Sequence, residues 1–174
     1  MLNSPKDYVN LRWYYAAVKP VWLFSGISGI KFNFFFMNSL AYISVSYSKR
    51  HLLNEELLVI TETLHQAGIT PFVFVDNYQF DKTQERLMMQ QAFADIDKAD
   101  ILIAETSDKA IGIGVEVGYA KAKEKTIIYV RHISAPHSTT VAGTSDYQIV
   151  FKNTNDLGLQ MKNLLTTIQK NINQ

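Results

Sequence analysis

The chain lacks cysteine, and it has only four prolines and a net charge of +1. Without cysteine it can form no disulfide, thiolate nucleophile or cysteine-ligated zinc or iron–sulfur site. A charge so close to zero creates no bulk field that would recruit a nucleic acid polymer or an anionic membrane. His51, His65 and His132 show no spacing typical of metal ligands. We therefore predict no metal and no other cofactor.

What the chain does contain is typical of one globular domain. It has 174 residues, of which 47% are hydrophobic and 19% are charged. This length suits a single domain with a sizeable core and is too short for two ordinary ones.

The aromatic residues are unevenly distributed. Residues 1–36 hold 10 of the 21 aromatic residues and carry a net charge of +3, whereas residues 37–174 carry −2. The sequence therefore divides into an aromatic, weakly basic leader and a slightly acidic body.

The leader could be a membrane-spanning helix, a signal peptide, a genuine extension or a segment that precedes the natural start. A transmembrane helix needs about 20 apolar residues, but residues 21–30 give only ten before Lys31, and Gly26 and Gly29 interrupt them. A short apolar run after Arg12 and Lys19 is weakly typical of a signal peptide. The change in composition favours Met37 as the natural start, ahead of a genuine extension and then a signal peptide. We therefore expect a cytoplasmic protein whose domain spans 37–174.

The body alternates strand and helix patterns. Runs of β-branched, aromatic or apolar residues predict strands, and apolar residues at helical spacing predict helices. The predicted strands cover 40–46, 69–75, 100–104, 126–130 and 147–151, and the predicted helices cover 53–67, 82–98, 113–123 and 155–171. Asp81 and Gln84 have the spacing of a capping box at the second helix.

This alternation predicts an α/β fold. Five parallel strands with helices on both faces form a three-layer, flavodoxin-like or Rossmann-like domain. Ligands of such domains bind beyond the carboxyl ends of the strands. We expect the site among the loops near residues 46–51, 76–81, 105–114 and 131–145.

The loop after the third strand carries the most informative motif. Gly112 and Gly114 allow a ligand to approach the backbone, and the following helix offers free N–H groups. The two glycines match a dinucleotide fingerprint only weakly, because seven residues separate them from the strand. Taken alone, Glu116 could simply be a first-turn acid favoured by the helix dipole.

A longer pattern gives Glu116 a chemical role. Asp97-x-x-Asp100-Ile-Leu-Ile-Ala-Glu105, followed by Gly112-Ile-Gly-Val-Glu116-Val-Gly-Tyr-Ala, resembles the nucleoside 2-deoxyribosyltransferase family over roughly residues 40–150. That family includes the 2'-deoxynucleoside 5'-phosphate N-hydrolases. The resemblance implies a small-molecule nucleoside or nucleotide substrate and Glu116 as the nucleophile. Such a carboxylate forms a covalent deoxyribosyl-enzyme at C1', which water or a second base then resolves.

The sequence departs from the family at the second acid. The resemblance places that acid at position 92, where this chain has alanine. Asp95, one turn further along the helix, is our candidate for the missing proton donor, and Glu85 and Asp76 are alternatives. Asp95 and Asp97 could also belong to a solvated helix face.

The resemblance also assigns binding residues. It implies that Ser46, Tyr47, Ser48, Lys49 and Arg50 hold the sugar or its 5'-phosphate. From their positions beyond the ends of predicted strands, we expect Asp76, Gly112 and Gly114 to line the site as well. In the loop after the fourth strand, it implies that Ser138 and Thr139 reach a neighbouring subunit's site. We therefore expect a homodimer. Lys49 and Arg50 could equally be ordinary surface charges.

Two other functions stay open. Loss of the acid at Ala92 would also suit a non-catalytic nucleotide-binding module. A glycohydrolase of the Toll/interleukin-receptor-like type, which acts on NAD, also uses a glutamate on a helix. Base release from deoxynucleotides, or from NAD, distinguishes these functions.

Overall fold

The computed structural model describes residues 39–172, which belong to one compact unit. Its strands are β1 (Ser39–Ser44), β2 (Ile69–Val73), β3 (Ile101–Glu105), β4 (Thr126–His132) and β5 (Tyr147–Phe151). Its α-helices are α1 (Asn54–Gln66), α2 (Phe74–Asn77), α3 (Glu85–Lys98), α4 (Ile111–Ala122), α5 (Thr139–Thr144) and α6 (Thr154–Ile172), with a 3-10 helix at Tyr47–Leu52. The leader, residues 1–36, lies outside the described residues.

The five strands form one sheet in the order β2-β1-β3-β4-β5, and every pairing is parallel. This confirms the predicted three-layer α/β fold. The order reverses between β1 and β3, so the chain leaves these neighbouring strands in opposite directions. A crevice opens at such a reversal, beyond the carboxyl ends of the strands.

Alternate residues of the strands feed two separate cores. On one face Ile43 and Ile103 pack against α1 and α6, and on the other Tyr42 and Leu102 pack against α3 and α4. All five residues of β3 are buried, as expected for a central parallel strand. The pattern of apolar residues at helical spacing over 155–171 predicts α6, and its Leu157 and Met161 are fully buried.

The boundaries differ from the sequence prediction near the site. The second strand ends at Val73, because the chain turns there into α2, a helix of four residues. The third helix begins at Glu85, after a turn in which the Gln84 amide donates to the Asp81 carbonyl at 3.0 Å. The Gln84 side chain accepts from the Asp81 amide, as in a capping box, but Asp81 accepts from Thr83 at 2.7 Å.

Within residues 39–172, no helix combines the length and the apolar character needed to cross a membrane.

Candidate active site

Glu116 lies at the reversal of strand order. It sits on the face of α4 that packs against the sheet, and its side chain is 9% exposed. One carboxylate oxygen accepts a hydrogen bond from the Tyr42 hydroxyl at 2.9 Å, and the other accepts a short one from the Ser44 hydroxyl. Tyr42 and Ser44 both belong to β1. Because residues two apart on a strand point to the same face, both hydroxyls face Glu116.

The position of Glu116 on its helix corrects one expectation. Because α4 begins at Ile111, Glu116 falls in its second turn, and the first turn holds no acid. The interpretation of Glu116 as a first-turn acid stabilised by the helix dipole is therefore wrong. Two hydroxyl donors from the sheet hold this carboxylate in place.

Burial and hydrogen bonds act in opposite directions on Glu116. Burial has the larger effect and raises its pKa, while the hydroxyls of Ser44 and Tyr42 favour the charged form. The pKa of Tyr42 is raised far above its ordinary value by burial and then by the charge of Glu116. Tyr42 therefore stays protonated and acts as a donor.

Beside Glu116 lies a cavity of about 310 Å³, here called the aromatic cavity. Its lining combines one carboxylate with mostly apolar side chains, from the segments after β1 and β2, from α3, and from the start of α4. The lining residues are Val45, Tyr47, Phe74, Val75, Tyr78, Phe80, Met88, Met89, Ala110, Gly112, Ile113 and Glu116. Among these residues, Glu116 is the one with a charged side chain.

The candidate acid Asp95 lies behind this lining. It is 5% exposed and is not among the described residues that line the aromatic cavity. Asp95 accepts hydrogen bonds at 2.9 Å from the hydroxyl of Tyr78, which does line the cavity, and from Gln91 and Lys98. Burial alone would raise the pKa of Asp95, but these hydrogen bonds outweigh burial and lower it.

The two aspartates of α3 differ in their surroundings. Asp95 is buried, so the interpretation of it as part of a solvated face is wrong. Asp97 is exposed and pairs with Lys123 at 2.9 Å, so that interpretation holds for Asp97. Ala92, where the family pattern has its acid, is fully buried in the core between the sheet and α4.

The loop after β1 brings only part of its predicted residues to the cavity. Tyr47 lines the cavity, and Ser46 is buried with its hydroxyl 3.2 Å from that of Ser48. Arg50 donates two hydrogen bonds of 2.7 Å to the carboxylate of Asp76. The structure therefore pairs the predicted cation with the predicted acid. Lys49 is exposed and does not line the aromatic cavity.

A second cavity, of about 350 Å³, lies on the other side of the first turn of α4 and is here called the loop cavity. It shares Ala110 and Ile113 with the aromatic cavity. The remaining residues of its lining are Thr106, Lys109, Ile111, Gly114, Ser138, Thr140 and Val141. The structure thus brings the predicted Gly114 and Ser138 together, whereas Thr139 is exposed and is replaced in the lining by Thr140.

The two motif glycines face open space. A Cβ atom added at Gly112 or Gly114 would meet no atom of the described chain within 4 Å. Internal packing therefore does not require glycine at either position, although each lines a cavity. Close approach of another molecule to these two glycines stays a prediction.

Comparison with known proteins identifies the family. The profile of the family described as nucleoside 2-deoxyribosyltransferase matches residues 48–164, about two thirds of the chain. The chain belongs to this family. The match includes Glu116, α3 and most of the residues that line the two cavities, but not Val45 and Tyr47.

Individual relatives of this deoxyribosyltransferase-family chain are more distant. A curated protein from Syntrophotalea carbinolica, provisionally named 2'-deoxynucleoside 5'-phosphate N-hydrolase 1, is 42% identical over 50 residues. The match covers 28% of this chain and 35% of that relative, so the chain spans about a third of the relative's length.

Two solved structures share the fold at low sequence identity. A 2-deoxyribosyltransferase from Bacillus psychrosaccharolyticus has a TM-score of 0.54 at 15% identity, over 69% of this chain and 90% of that one. A CMP N-glycosidase from Clostridium botulinum has a TM-score of 0.52 at 15% identity, over 71% and 98%.

The sequence of this family member did not reveal most of the cavity wall. The sequence also does not identify Tyr42 and Ser44 as donors to Glu116, although their spacing within the predicted first strand places them on one face. Phe74, Tyr78 and Phe80 were missed because the turn into α2 was not predicted. For Tyr78 and Phe80, the sequence indicates only that residues 76–81 follow the end of a predicted strand.

A third buried carboxyl group lies on the face of the sheet opposite to Glu116 and Asp95. Glu105, at the end of β3, is fully buried, and one of its oxygens accepts hydrogen bonds from the amide and the hydroxyl of Ser107. The other oxygen has no hydrogen-bond partner in the described structure. Burial raises the pKa of Glu105 to about 7. The residues of the structure that are described contain no cluster of potential metal ligands.

We expect Tyr42→Phe to raise the pKa of Glu116. The substitution removes a donor that favours the ionised carboxylate and leaves the ring in place. NMR titration of ¹³C-labelled glutamate side chains measures this pKa. Tyr119→Phe is a matched control, since the Tyr119 hydroxyl contacts Asp97 instead. An unchanged Glu116 titration in Tyr42→Phe would contradict the role of this hydrogen bond.

We expect Glu105→Gln to make stability less sensitive to pH. The folded-state pKa is raised from 4.5 to about 7, so the folded protein holds this proton more tightly than the unfolded chain does. This stabilising contribution is complete below about pH 4.5 and is lost as the pH rises through about 7.

Glutamine stays neutral, so the variant should gain on the order of 3 kcal/mol relative to the unsubstituted protein between about pH 4.5 and 8. Urea unfolding at both pH values measures the difference. Glu85→Gln, on the exposed part of α3, is the control. Parallel changes in all three proteins would show that Glu105 does not titrate in this range.

Proposed function

We propose that this protein is an enzyme that cleaves or transfers the N-glycosidic bond of 2'-deoxynucleosides or their 5'-monophosphates. The observation that carries the proposal is the Glu116 carboxylate, held by Tyr42 and Ser44 beside a cavity of about 310 Å³. Membership of the deoxyribosyltransferase family supports the same chemistry. We also propose that this activity serves nucleotide salvage in the cytoplasm.

In the proposed first step, one oxygen of Glu116 attacks C1' of the sugar. The new C1'–O bond forms as the C1'–N bond breaks, and the electron pair of that bond leaves with the base. In the second step, water or another nucleobase attacks C1', breaks the ester and restores the carboxylate. The hydroxyls of Tyr42 and Ser44 orient Glu116 throughout.

The departing base needs a proton, and we propose that the pair of Asp95 and Tyr78 supplies it. Tyr78 lines the cavity, and its hydroxyl is 2.9 Å from Asp95. The lowered pKa of Asp95 fits an ionised acceptor, so the transferable proton of this pair is the one that the Tyr78 hydroxyl donates to Asp95. In the proposed step, the hydroxyl turns from Asp95 to the departing base and gives up this proton, which leaves a phenolate. The water that resolves the intermediate returns the proton, so the hydrolytic cycle balances.

The loop cavity offers a place for a 5'-phosphate. Lys109, Ser138 and Thr140 line it, together with the first turn of α4. A lysine, hydroxyl groups and a helix N-terminus are groups that bind phosphate. Arg50 is less available than its sequence position implied, because Asp76 already binds its guanidinium. We therefore assign the 5'-phosphate to the loop cavity in preference to the loop after β1.

We also propose that the protein is a homodimer. Ile111 is 90% exposed and Val115 is 45% exposed, and both lie on the outer face of α4 beside the two cavities. Large exposed apolar side chains next to a site are typical of an interaction surface. A second subunit on this face would also bring residues of its own to the site, as the family resemblance implies.

A non-catalytic nucleotide-binding module is the second candidate, and the alanine at position 92 favours it. Such a module would be stabilised by deoxynucleotides without releasing base. A glycohydrolase that acts on NAD is the third candidate, and NAD belongs in the substrate panel for that reason.

We expect Glu116→Gln to lower base release by at least about a thousandfold, since it removes the nucleophile and keeps the side-chain volume. Deoxynucleosides, their 5'-monophosphates and NAD are incubated with the full-length protein, and chromatography measures free base and exchanged product. Glu62→Gln, at an exposed position of α1 that lines neither cavity, should retain full activity.

Base release that survives in Glu116→Gln would refute the assignment of the nucleophile. Binding of deoxynucleotides without base release by the unsubstituted protein would favour the non-catalytic module. Release of nicotinamide from NAD alone would favour the third candidate.

We expect Val115→Asp to shift the protein from dimer to monomer, because one buried carboxylate per subunit would be left without a partner. Sedimentation velocity of both proteins measures the change. Leu159→Asp, on the exposed face of α6, is the control. A monomeric unsubstituted protein would contradict the homodimer.

A further inference from the structure

The wall of the aromatic cavity offers few polar side chains to a nucleobase. Apart from Glu116, its described lining contains two polar side-chain groups, the hydroxyls of Tyr47 and Tyr78. Tyr47 is 73% exposed. The Tyr78 hydroxyl is already bound to Asp95 and Gln91. No amide, guanidinium or ammonium side chain is present among these lining residues.

The apolar part of the wall combines rigid and adaptable side chains. Phe74 and Phe80 stack with their ring centroids 6.1 Å apart, and Tyr78 lies within 5.8 Å of both rings. Met88 and Met89 complete the lining from α3. Aromatic rings stack on a base whatever its identity, and methionine adapts to added apolar groups.

This composition determines which nucleobase loses the least free energy when it moves from water into the aromatic cavity. A polar group that leaves water without finding a partner costs about 1–3 kcal/mol. A buried methylene or methyl group contributes about 0.8 kcal/mol. A wall of this composition therefore penalises bases with many polar edge groups and favours a base that carries a methyl group.

We propose that the aromatic cavity selects the least polar nucleobases, with thymine bound in preference to uracil and cytosine, and adenine in preference to guanine. This inference rests on the proposed function in placing the base in this cavity. It extends that function, because family membership and the position of Glu116 leave the identity of the base open.

Two pairs of substrates isolate the effect of the wall. Thymidine and 2'-deoxyuridine differ only in the 5-methyl group, so we expect roughly a fourfold higher kcat/KM for thymidine. Deoxyguanosine presents more polar edge groups than deoxyadenosine, so we expect at least about a tenfold lower kcat/KM for it. The same pairs are measured as 5'-monophosphates, because the phosphate is common to both members.

A pair of variants tests whether the wall causes the preference. Met88→Gln places an amide in the cavity lining at similar volume, and we expect it to abolish the preference for thymidine and to improve deoxycytidine. Leu87→Gln makes a comparable change one residue earlier, at a side chain that is 50% exposed and is not among the lining residues. We expect this control to keep the preference of the unsubstituted protein.

Calorimetry of Glu116→Gln with the same substrate pairs separates this proposal from the proposed function. Tighter binding of thymidine supports the base preference even if no base is ever released. Base release at equal rates from thymidine and 2'-deoxyuridine, with equal binding, overturns the preference and leaves the enzymatic function intact. A preference unchanged in Met88→Gln, or binding of no nucleoside or nucleotide, also overturns the proposal.

Discussion

The hydrogen bonds from Tyr42 and Ser44 to Glu116 join β1 to α4 at the reversal of strand order. A carboxylate that is 9% exposed needs such donors, because burial disfavours its charge. This requirement fixes the position of α4 along β1, because the hydroxyls of Tyr42 and Ser44 must both face the acid in the second turn of α4. The two cavities lie on either side of the turn that precedes this acid, so their separation follows from the same constraint.

The two faces of the sheet use buried carboxyl groups differently. Glu116 lies on the α3 and α4 face, with two hydroxyl donors and a cavity beside it. Glu105 lies on the α1 and α6 face, fully buried, with one oxygen bound to the next loop and the other without a hydrogen-bond partner. With its pKa raised to about 7, Glu105 is neutral below that pH and there accepts the hydrogen bonds of Ser107 without requiring a counter-ion. Glu105 and Glu116, which belong to the same sequence motif, thus lie on opposite faces of the sheet.

The parts of the structure that were predicted depend on local pattern, and the parts that were missed depend on tertiary contacts. The run from Ile101 to Ala104 predicts a buried strand, and the spacing along α6 predicts its buried stripe, because each pattern lies within one element. Glu116 was found from a motif. The donors of Glu116, the aromatic wall and the pairing of Arg50 with Asp76 arise from elements distant in sequence, and no periodicity reports which side chains will meet. The four-residue helix α2 is too short to leave a periodic signal.

The alanine at position 92 affects both the source of the proton for the departing base and the polarity of the cavity wall. The nearest acid, Asp95, is separated from the cavity by Tyr78, so the cavity wall is less polar and its protic group is a phenol. A phenol is a weaker acid than a carboxylic acid, and more of the barrier then depends on how readily the base leaves as an anion. Cytosine leaves less readily than uracil or thymine, because the N–H group of free cytosine is less acidic. In the proposed reaction, leaving ability and wall polarity therefore disfavour cytosine together. Leaving ability treats uracil and thymine nearly alike, so only the apolar wall can separate those two bases.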